Sequence, residues 1–497
     1  MGASAARGTL AGSGAAQGPG RSAGGPRWVD LLVRHGHVIT VDDAGRVFAD
    51  GAVAVAGNQI VEVGADAEVT ARVRAARVID ARGAPVHPGL IDCHAHTSFH
   101  TLRGVHGDDV IEDDILDDFY IPWLDGVTEE EEHLGALLAC LEMVRNGTTC
   151  FLEAGTVLEP DAAARAAQTV GMRGVLGDPF IWDRPDSIVQ GKRTAGTGAG
   201  GGPAAVRPLI RRAPRDLDEA LARMGGQLWR NADAETLVTG HVCVSGLGTA
   251  SEALLVAARQ RADEAGVVLS MHHAYSAADT EADRERYGRD PLVHLAEIGV
   301  LGRNVTLAHA NHVSDAECDR LLEHGTSLAW APAASMMWGH GGSLHGRHAE
   351  LWRRGGNIAL ASDSANWSND FDLFRQADLA LLTARDVHEE RTYLGAEDVL
   401  RMATRGGARA VGLEDRIGSL EVGKRADMVI HTLDRPELNP TTHLLRNVIH
   451  AGRSKTIRSV IIDGRVVLDD GVFGHLDEAG LLAHIDAAAR AMLQRAG

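Results

Sequence analysis

The segment VHPGLIDCHAH, residues 86–96, holds two histidines two positions apart at the end of an apolar run. In an extended strand alternate side chains share a face, so His94 and His96 project together while Cys93 and Ala95 face the other way. Two neutral imidazoles on one face make half of a divalent-metal site, for which Zn²⁺ is the usual occupant. The pairing alone is weak, since a chain with 24 histidines in 497 residues holds about one such pair by chance. A second pair, His35 and His37, is read as an accident of a strand end with no partners. His272, His309 and Asp363 give the first pair its weight, because each also closes an apolar β run. Three neutral histidines and a carboxylate suit one Zn²⁺ with a position left open for water or substrate.

Strands and helices must alternate to bring such distant residues together. Residues 87–405 do alternate, with strand patterns in GLIDCHAH, TTCFLEA, RGVLGD, LVTGHVCV, VVLSMHH, NVTLAHA, TSLAWAPA and NIALASD. Eight strands in series with helices between them predict an α/β fold, a (β/α)8 TIM-like barrel whose functional residues sit at C-terminal strand ends. Short β-rich runs in 27–86 and again in 406–474 predict a composite β-sandwich formed from N- and C-terminal segments. Residues 475–497 form an amphipathic helix expected to pack on that sandwich or on a partner subunit. Residues 1–26 form a Gly/Ala-rich tail expected to be disordered. Two connections are long, His100–Val127 and Pro185–Arg215. The second holds GTGAGGG, which is read as a loop because no strand leads into it and no GK[ST] follows.

A net charge of -19 argues against nucleic acid as a partner. No apolar run reaches the length of a membrane span, and the N-terminal tail lacks the apolar centre of a signal peptide. Cys93, Cys140, Cys150, Cys243 and Cys318 are scattered without CxxC spacing, which predicts reduced thiols and a cytoplasmic location.

With these residues in view, the chain resembles the amidohydrolase superfamily, in the branch of aminohydrolases and chlorohydrolases acting on nitrogen heterocycles. The resemblance spans nearly everything after Trp28. It rests on PGLIDCHAH, the LRG of residues 102–104, LEMVRNGTTCFLEA, RYGRDPLVHLAEIGVLGRNVTLAHANHVSDAE, ALASDSANWSNDFDLF and IGSLEVGKRADMVI. It implies His94, His96, His272 and Asp363 as ligands of one divalent metal ion per subunit, Zn²⁺ or Fe²⁺. It further implies His309 as the group polarising the substrate and Asp363 as the base that takes a proton from metal-activated water. Relatives with two metals commonly bridge them by a carboxylated Lys on the fourth strand. Only Lys192, Lys424 and Lys455 occur here, none at a barrel strand end, so one metal is expected. A small-molecule substrate and a homo-oligomeric assembly are also what the resemblance implies.

One departure stands out. Deaminases of this branch typically carry Glu three residues after the strand-five histidine, and here that position is Tyr275. Taking His273 as the ligand puts Ser276 there instead, so neither register supplies a carboxylate; His272 keeps the register to RYG without gaps. Tyr is a poor base at neutral pH. Substrates that need less ring protonation therefore compete, namely those with a good leaving group or a cyclic amide. Glu153 is a candidate to replace the missing carboxylate, against a supporting or helix-capping role. Arg103 and His100 are candidates for contact with an anionic or carbonyl group, Trp330 and Trp338 for stacking on a planar ring, and Asn366 for touching substrate or orienting Asp363. His312 is placed at the pocket, and the loop with His340, His345 and His348 is read as a lid. The expected activity is metal-dependent hydrolysis of a C–N bond, not a peptide, in a small cyclic nitrogenous compound, with a cyclic amide hydrolase as the alternative. A non-catalytic barrel scaffold is the reading of another class, and it expects lost ligands, whereas all five positions are filled.

Overall fold

At Gly89 the chain passes from one sheet into another. The computed structural model describes residues 25–110, 119–184 and 210–496, the last without its terminal side chain. Residues 1–24 of the tail expected at the N-terminus and the GTGAGGG loop lie outside the described residues. Strand β5 (Pro85–Pro88) ends just before Gly89, and β6 (Leu90–Ala95) begins just after it. A Cβ on Gly89 would stand 2.1 Å from the Thr149 hydroxyl, so only glycine allows the two segments this approach.

The earlier strands are β1 (Arg27–Ile39), β2 (Val47–Ala56), β3 (Gln59–Ala65) and β4 (Val73–Asp80); the last three are β15 (Met428–His431), β16 (Ile457–Ile462) and β17 (Arg465–Leu468). They form one mixed sheet in the order β17-β16-β15-β5-β1-β2-β3, with β4 alongside β1. Antiparallel pairing of β15 with β5, Ile430 opposite Val86, stitches the two ends of the chain together. Alternation divides the sheet's faces: Val33, Val53, Val55, Met428 and Ile430 share one core, while Val29, Leu32, Ala52 and Ala54 share another. The isolated reading of His35 needs correction. It sits at an irregularity of the β1–β2 register, with Nδ1 at 3.2 Å from Asp50 and its backbone N–H at 3.2 Å from Asp66.

All eight strand patterns of the middle segment contain a strand. They are β6, β7 (Thr148–Glu153), β8 (Arg173–Leu176), β9 (Val238–Gly240), β10 (Val242–Gly246), β11 (Leu269–His273), β12 (Val305–His309), β13 (Ser327–Trp330) and β14 (Asn357–Leu360), the LVTGHVCV pattern giving both β9 and β10. Every pairing among them is parallel, in the orders β6-β7-β8-β9 and β10-β11-β12-β13-β14. His241 alone separates β9 from β10; its N–H reaches the Leu176 carbonyl (3.0 Å) and its Nε2 pairs with the Ser270 hydroxyl (2.9 Å). On the other flank Ala95 pairs in parallel with Asp363. The strands are short and buried, as expected where helices cover a parallel sheet.

The intervening helices carry the signals that start and stop them. Ser314 and Glu317 form a capping box before the helix Asp315–His324, and Gly325, at φ 67°, ends it in the left-handed conformation. The C-terminal helix Glu478–Ala496 lies largely against the helix Glu129–Arg145, through ion pairs of Arg145 with Glu478 and Arg495 with Glu131. Ile485 shares a core with Val467 and Leu468 of β17, so the packing expected on the C-terminal strands is one part of its contact. Among the described residues no helix is long and apolar enough to cross a membrane.

Candidate metal centre

Parallel strands bring their C-terminal ends to one side of a sheet, and there the five sequence candidates meet. His94 is the last residue but one of β6 and His96 follows the strand, His272 lies one residue before the end of β11, His309 ends β12, and Asp363 follows β14. Asp363 is fixed by two backbone bonds of 2.9 Å, its N–H to the His94 carbonyl and its carbonyl from the His96 N–H. Its Oδ1 stands 3.3 Å from His96 Nε2 and 4.0 Å from His94 Nε2. His272 Nε2 stands 3.3 Å from His96 Nε2. The His94 ring lies 4.8, 4.6 and 5.2 Å from those of His96, His272 and His309. Ligand atoms of His94, His96 and Asp363 lie within 4.8 Å of one another, as do those of His94, His272 and His309.

The donors fit a divalent cation. Burial first, and the neighbouring imidazoles after it, holds His94, His96 and His309 well below the ordinary histidine value; burial brings His272 to about 4 against the bond it donates to the Ser245 carbonyl. All four are therefore neutral, the form that ligates. His94 Nε2 is buried with no hydrogen-bond partner among the described residues, an orphaned lone pair or N–H that a metal would satisfy. His272 Nδ1 donates to the Ser245 carbonyl, which leaves its Nε2 lone pair facing the cluster. The Thr156 hydroxyl donates to Glu153 (3.0 Å) and so accepts from His96 Nδ1 (2.9 Å), which frees His96 Nε2 in the same way.

The backbone here is held in costly conformations. His309 and Asp363 adopt φ of 70° and 68°, and Ala274 and Ala310 follow at 49° and 50°. Such left-handed residues cost about 1–3 kcal/mol each and persist where surroundings fix them. His348 does so at His309: its Nε2 meets the His309 carbonyl at 2.6 Å while its ring lies flat on Trp330, 4.8 Å away. Asp92 Oδ1 accepts from the N–H of His94 (3.3 Å) and of Ser362 (3.1 Å), tying two of the ligand-bearing segments together.

Several sequence candidates stand elsewhere. Glu153 is engaged within the fold: its oxygens accept from the N–H of Gly155 (2.7 Å) and Thr156 (3.2 Å) and from the Thr156 hydroxyl, and its residue is 1% exposed. Arg103 is likewise engaged, ion-paired with Glu142, which also binds His100 at 2.5 Å and the Phe371 N–H at 3.2 Å. Trp330 is packing beneath His348. Tyr275 borders the site, its ring 6.4 Å from that of His309 and 5.4 Å from that of His340. Asn366 and Trp338 line a neighbouring cavity. His312 pairs with the His340 carbonyl at 2.7 Å, and the expected lid is partly helical, in Gly342–His345 and His348–Arg353. His273 is buried on the opposite face of β11, which selects His272 between the two registers. Lys424 serves Ser419, Lys455 lies in the short helix Arg453–Thr456, and Lys192 is outside the described residues.

Asp92, Thr156 and His348 were not anticipated. Asp92 shares the face of His94 and His96 by strand alternation, a signal available in the sequence. Thr156 acts from the turn after β7 and His348 from the first position of the helix His348–Arg353, placements that no periodicity records.

Two expected outcomes follow from these supports. Thr156→Val lowers zinc affinity about 10–100-fold, read by competition with a chromogenic chelator, because His96 loses its orienting partner. At Glu142 burial pushes the carboxyl up, but the bonds and charges of His100 and Arg103 outweigh it and bring the group to about 2, from 4.5. A value lowered on folding stabilises above the unfolded value and ceases to as pH falls toward the folded one. The melting-temperature gap between wild type and Glu142→Gln is thus full at about pH 6 and narrows between about pH 4 and 2, read by thermal denaturation.

The amidohydrolase family profile matches residues 86–467. A 5-methylthioadenosine/S-adenosylhomocysteine deaminase of Syntrophobacter fumaroxidans is 33% identical over 441 residues, 89% of this chain and 93% of that protein. A 5'-deoxyadenosine deaminase of Methanosarcina mazei is 28% identical, over 94% of this chain and 99% of its own. Among solved structures, an adenosine deaminase from Xanthomonas campestris with bound zinc superposes with a TM-score of 0.83 at 29% identity, covering 95% and 99% of the two chains. The zinc-bound atrazine chlorohydrolase of Arthrobacter aurescens shares the fold, with a TM-score of 0.79 at 24% identity over 92% of this chain and all of its own. The chain belongs to the amidohydrolase family and is a metal-dependent hydrolase of carbon–nitrogen bonds other than peptide bonds.

Proposed function

We propose that this chain removes an exocyclic amino group from a nitrogen heterocycle by hydrolysis, with adenine nucleosides as the first class to test. The observation that carries the proposal is the convergence of four neutral histidines and Asp363 at neighbouring strand ends. The deaminase relatives support the choice of nucleosides.

In this reading His94, His96, His272 and Asp363 hold one divalent cation, zinc by preference for nitrogen donors. Bound there, the cation supplies Lewis acidity and brings the pKa of water near neutrality. Asp363 takes a proton from the attacking water and passes it to the departing amine. His309 donates its N–H to the attacking oxygen and orients it; as the C–O bond forms, the ring C=N electron pair goes to the ring nitrogen, which takes the second proton of the water. The new C–O bond replaces the C–N bond, and ammonia leaves. Asn366 and Tyr275 border the substrate, whereas Glu153 and Arg103 support the walls.

The two parallel sheets are read as one (β/α)8 barrel over residues 87–405, joined through His241 and through the Ala95–Asp363 bridge. Residues 27–86 and 406–474 are read as the composite sandwich, and 475–497 as the terminal helix. A homo-oligomer in the cytoplasm completes the proposal; light scattering tests the first and cell fractionation the second.

Tyr275 favours a second reading. Asp363 is the only carboxylate in the two ligand clusters among the described residues, so protonation of a ring nitrogen lacks a second acid. A ring bearing a halide, or a cyclic amide, needs less of it. Product analysis in heavy-oxygen water decides: zinc-loaded protein is expected to exchange the amino group of an adenine nucleoside for labelled oxygen. Labelled product only from halogenated rings or cyclic amides would replace the first reading by the second.

A further inference from the structure

The C-terminal helix Glu478–Ala496 lies antiparallel to the helix Glu129–Arg145 and is pinned to it at both ends. Glu478, its first residue, pairs with Arg145, the last residue of the other helix, and Arg495 pairs with Glu131 near the other's start. Both arginines are exposed, so these pairs give register more than stability. The register sets Ile485 and Met492, two turns apart, on one buried face. Ile485 packs against β17, whereas Met492 enters a cluster of rings, where its thioether accepts the Trp123 indole N–H at 3.0 Å. A thioether is polarizable and flexible, and it suits a gap between aromatic rings.

From Met492 the contacts lead to a metal ligand. Trp123, in the helix Ile121–Gly126, meets Phe99 with ring centres 5.2 Å apart. Phe99 in turn stacks on His96 at 5.9 Å, the two planes 29° apart. It belongs to the short helix Thr97–Leu102, which begins just after His96. The helix Glu129–Arg145 is pressed against this one: a Cβ on Gly135 would stand 2.4 Å from the Ser98 carbonyl. The His96 ring has three supports. Thr156 holds Nδ1 at 2.9 Å, but one hydrogen bond leaves the ring free to tilt about it. The His272 ring at 5.3 Å and Phe99 limit that tilt, and the tilt decides where the Nε2 lone pair points. A working metal site holds its ligands to within about 10–20° through such packing.

We infer that the C-terminal helix braces the metal centre: Met492, through Trp123 and Phe99, fixes the tilt of the His96 ring toward the cation. The inference rests on His96 as a ligand and adds support from the far end of the chain. Met492, Trp123 and Phe99 are positioning residues, which act on the cation only through His96. Loosening them widens the range of His96 orientations, so zinc affinity falls although no donor is lost.

The test uses the full chain and two readouts: zinc affinity by competition with a chromogenic chelator, and ligand geometry by the visible absorption of the cobalt-substituted protein. Met492→Ala is expected to weaken zinc binding about tenfold and to change the cobalt spectrum. Ile485→Ala, on the same face of the same helix, is expected to lower the melting temperature comparably while zinc affinity stays within about twofold and the spectrum is unchanged. Phe99→Leu is expected to weaken zinc binding about tenfold as well. Because Met492 acts through Phe99, adding Met492→Ala to Phe99→Leu is expected to cost less than about twofold more. Should Met492→Ala not fold, Trp123→Phe, which keeps a ring and loses the N–H, goes through the same comparison with the same expectations. Equal effects of Met492→Ala and Ile485→Ala on zinc affinity, an unchanged cobalt spectrum in Met492→Ala, or additive losses in the double variant would overturn the inference. Wild type separates the two claims. If it binds no zinc, the metal centre itself falls; tight zinc binding that Met492→Ala leaves untouched removes the brace alone.

Discussion

Asp363→Asn is expected to lower kcat by about a thousandfold or more with little change in melting temperature, measured by steady-state kinetics and thermal denaturation of the zinc-loaded protein. The structural cost is small for two reasons. Asp363 is held through its backbone, by the His94 carbonyl and the His96 N–H, and those bonds survive the change. Its φ of 68° is one that Asn tolerates better than other residues with a Cβ. What disappears is the carboxylate, with Oδ1 at 3.3 Å from His96 Nε2, and with it the one base in the cluster. Asp363→Ala adds backbone strain to the chemical loss and is expected to melt lower as well. Full turnover in the Asn variant would remove Asp363 from the proton transfer.

His94→Ala is expected to abolish activity and the thermal stabilisation by zinc. The His94 ring neighbours those of His96, His272 and His309, and His94 belongs to both ligand groups. A cation that binds only the folded protein stabilises it by about 4 kcal/mol at a thousandfold excess over Kd, several degrees in melting temperature. Wild type is expected to show that shift on zinc addition and to lose it with a chelator, and His94→Ala to show none. Without zinc the two should melt within a few degrees, because burying neutral imidazoles against a carboxylate stabilises little until a cation joins them. An undiminished shift in the variant would place the ion elsewhere.

The parallel strands were legible because each is a short apolar run ending in a polar residue, and alternation alone set His94 beside His96. Across strands the same logic carried His309 and Asp363, which both come within reach of His94 because parallel strands end on one side. It failed where loops decide. Glu153 closes β7 as His94 nearly closes β6, and from sequence the two positions look alike. The turn after β7 folds Gly155 and Thr156 back onto the carboxylate and engages it. The engagement of Arg103 was hidden for a related reason: its partner Glu142 lies 39 residues on, inside a helix whose pattern gives no hint of it. The His35 pair read as partnerless because Asp50 and Asp66 reach it across a sheet irregularity that period-two reasoning does not contain. Tyr275 is the reverse case. The sequence marked it as a departure, and the structure sets its ring at the edge of His309.

The most direct measurement is a zinc titration of metal-stripped protein followed by ammonia release from an adenine nucleoside, with metal content determined on the same samples. The expected result is activity that rises in proportion to zinc and levels off at one ion per chain, with none in His94→Ala. Ammonia released by the metal-stripped protein, or zinc bound one per chain with no hydrolysis of any heterocycle offered, would contradict a hydrolytic metal centre built on His94, His96, His272, His309 and Asp363.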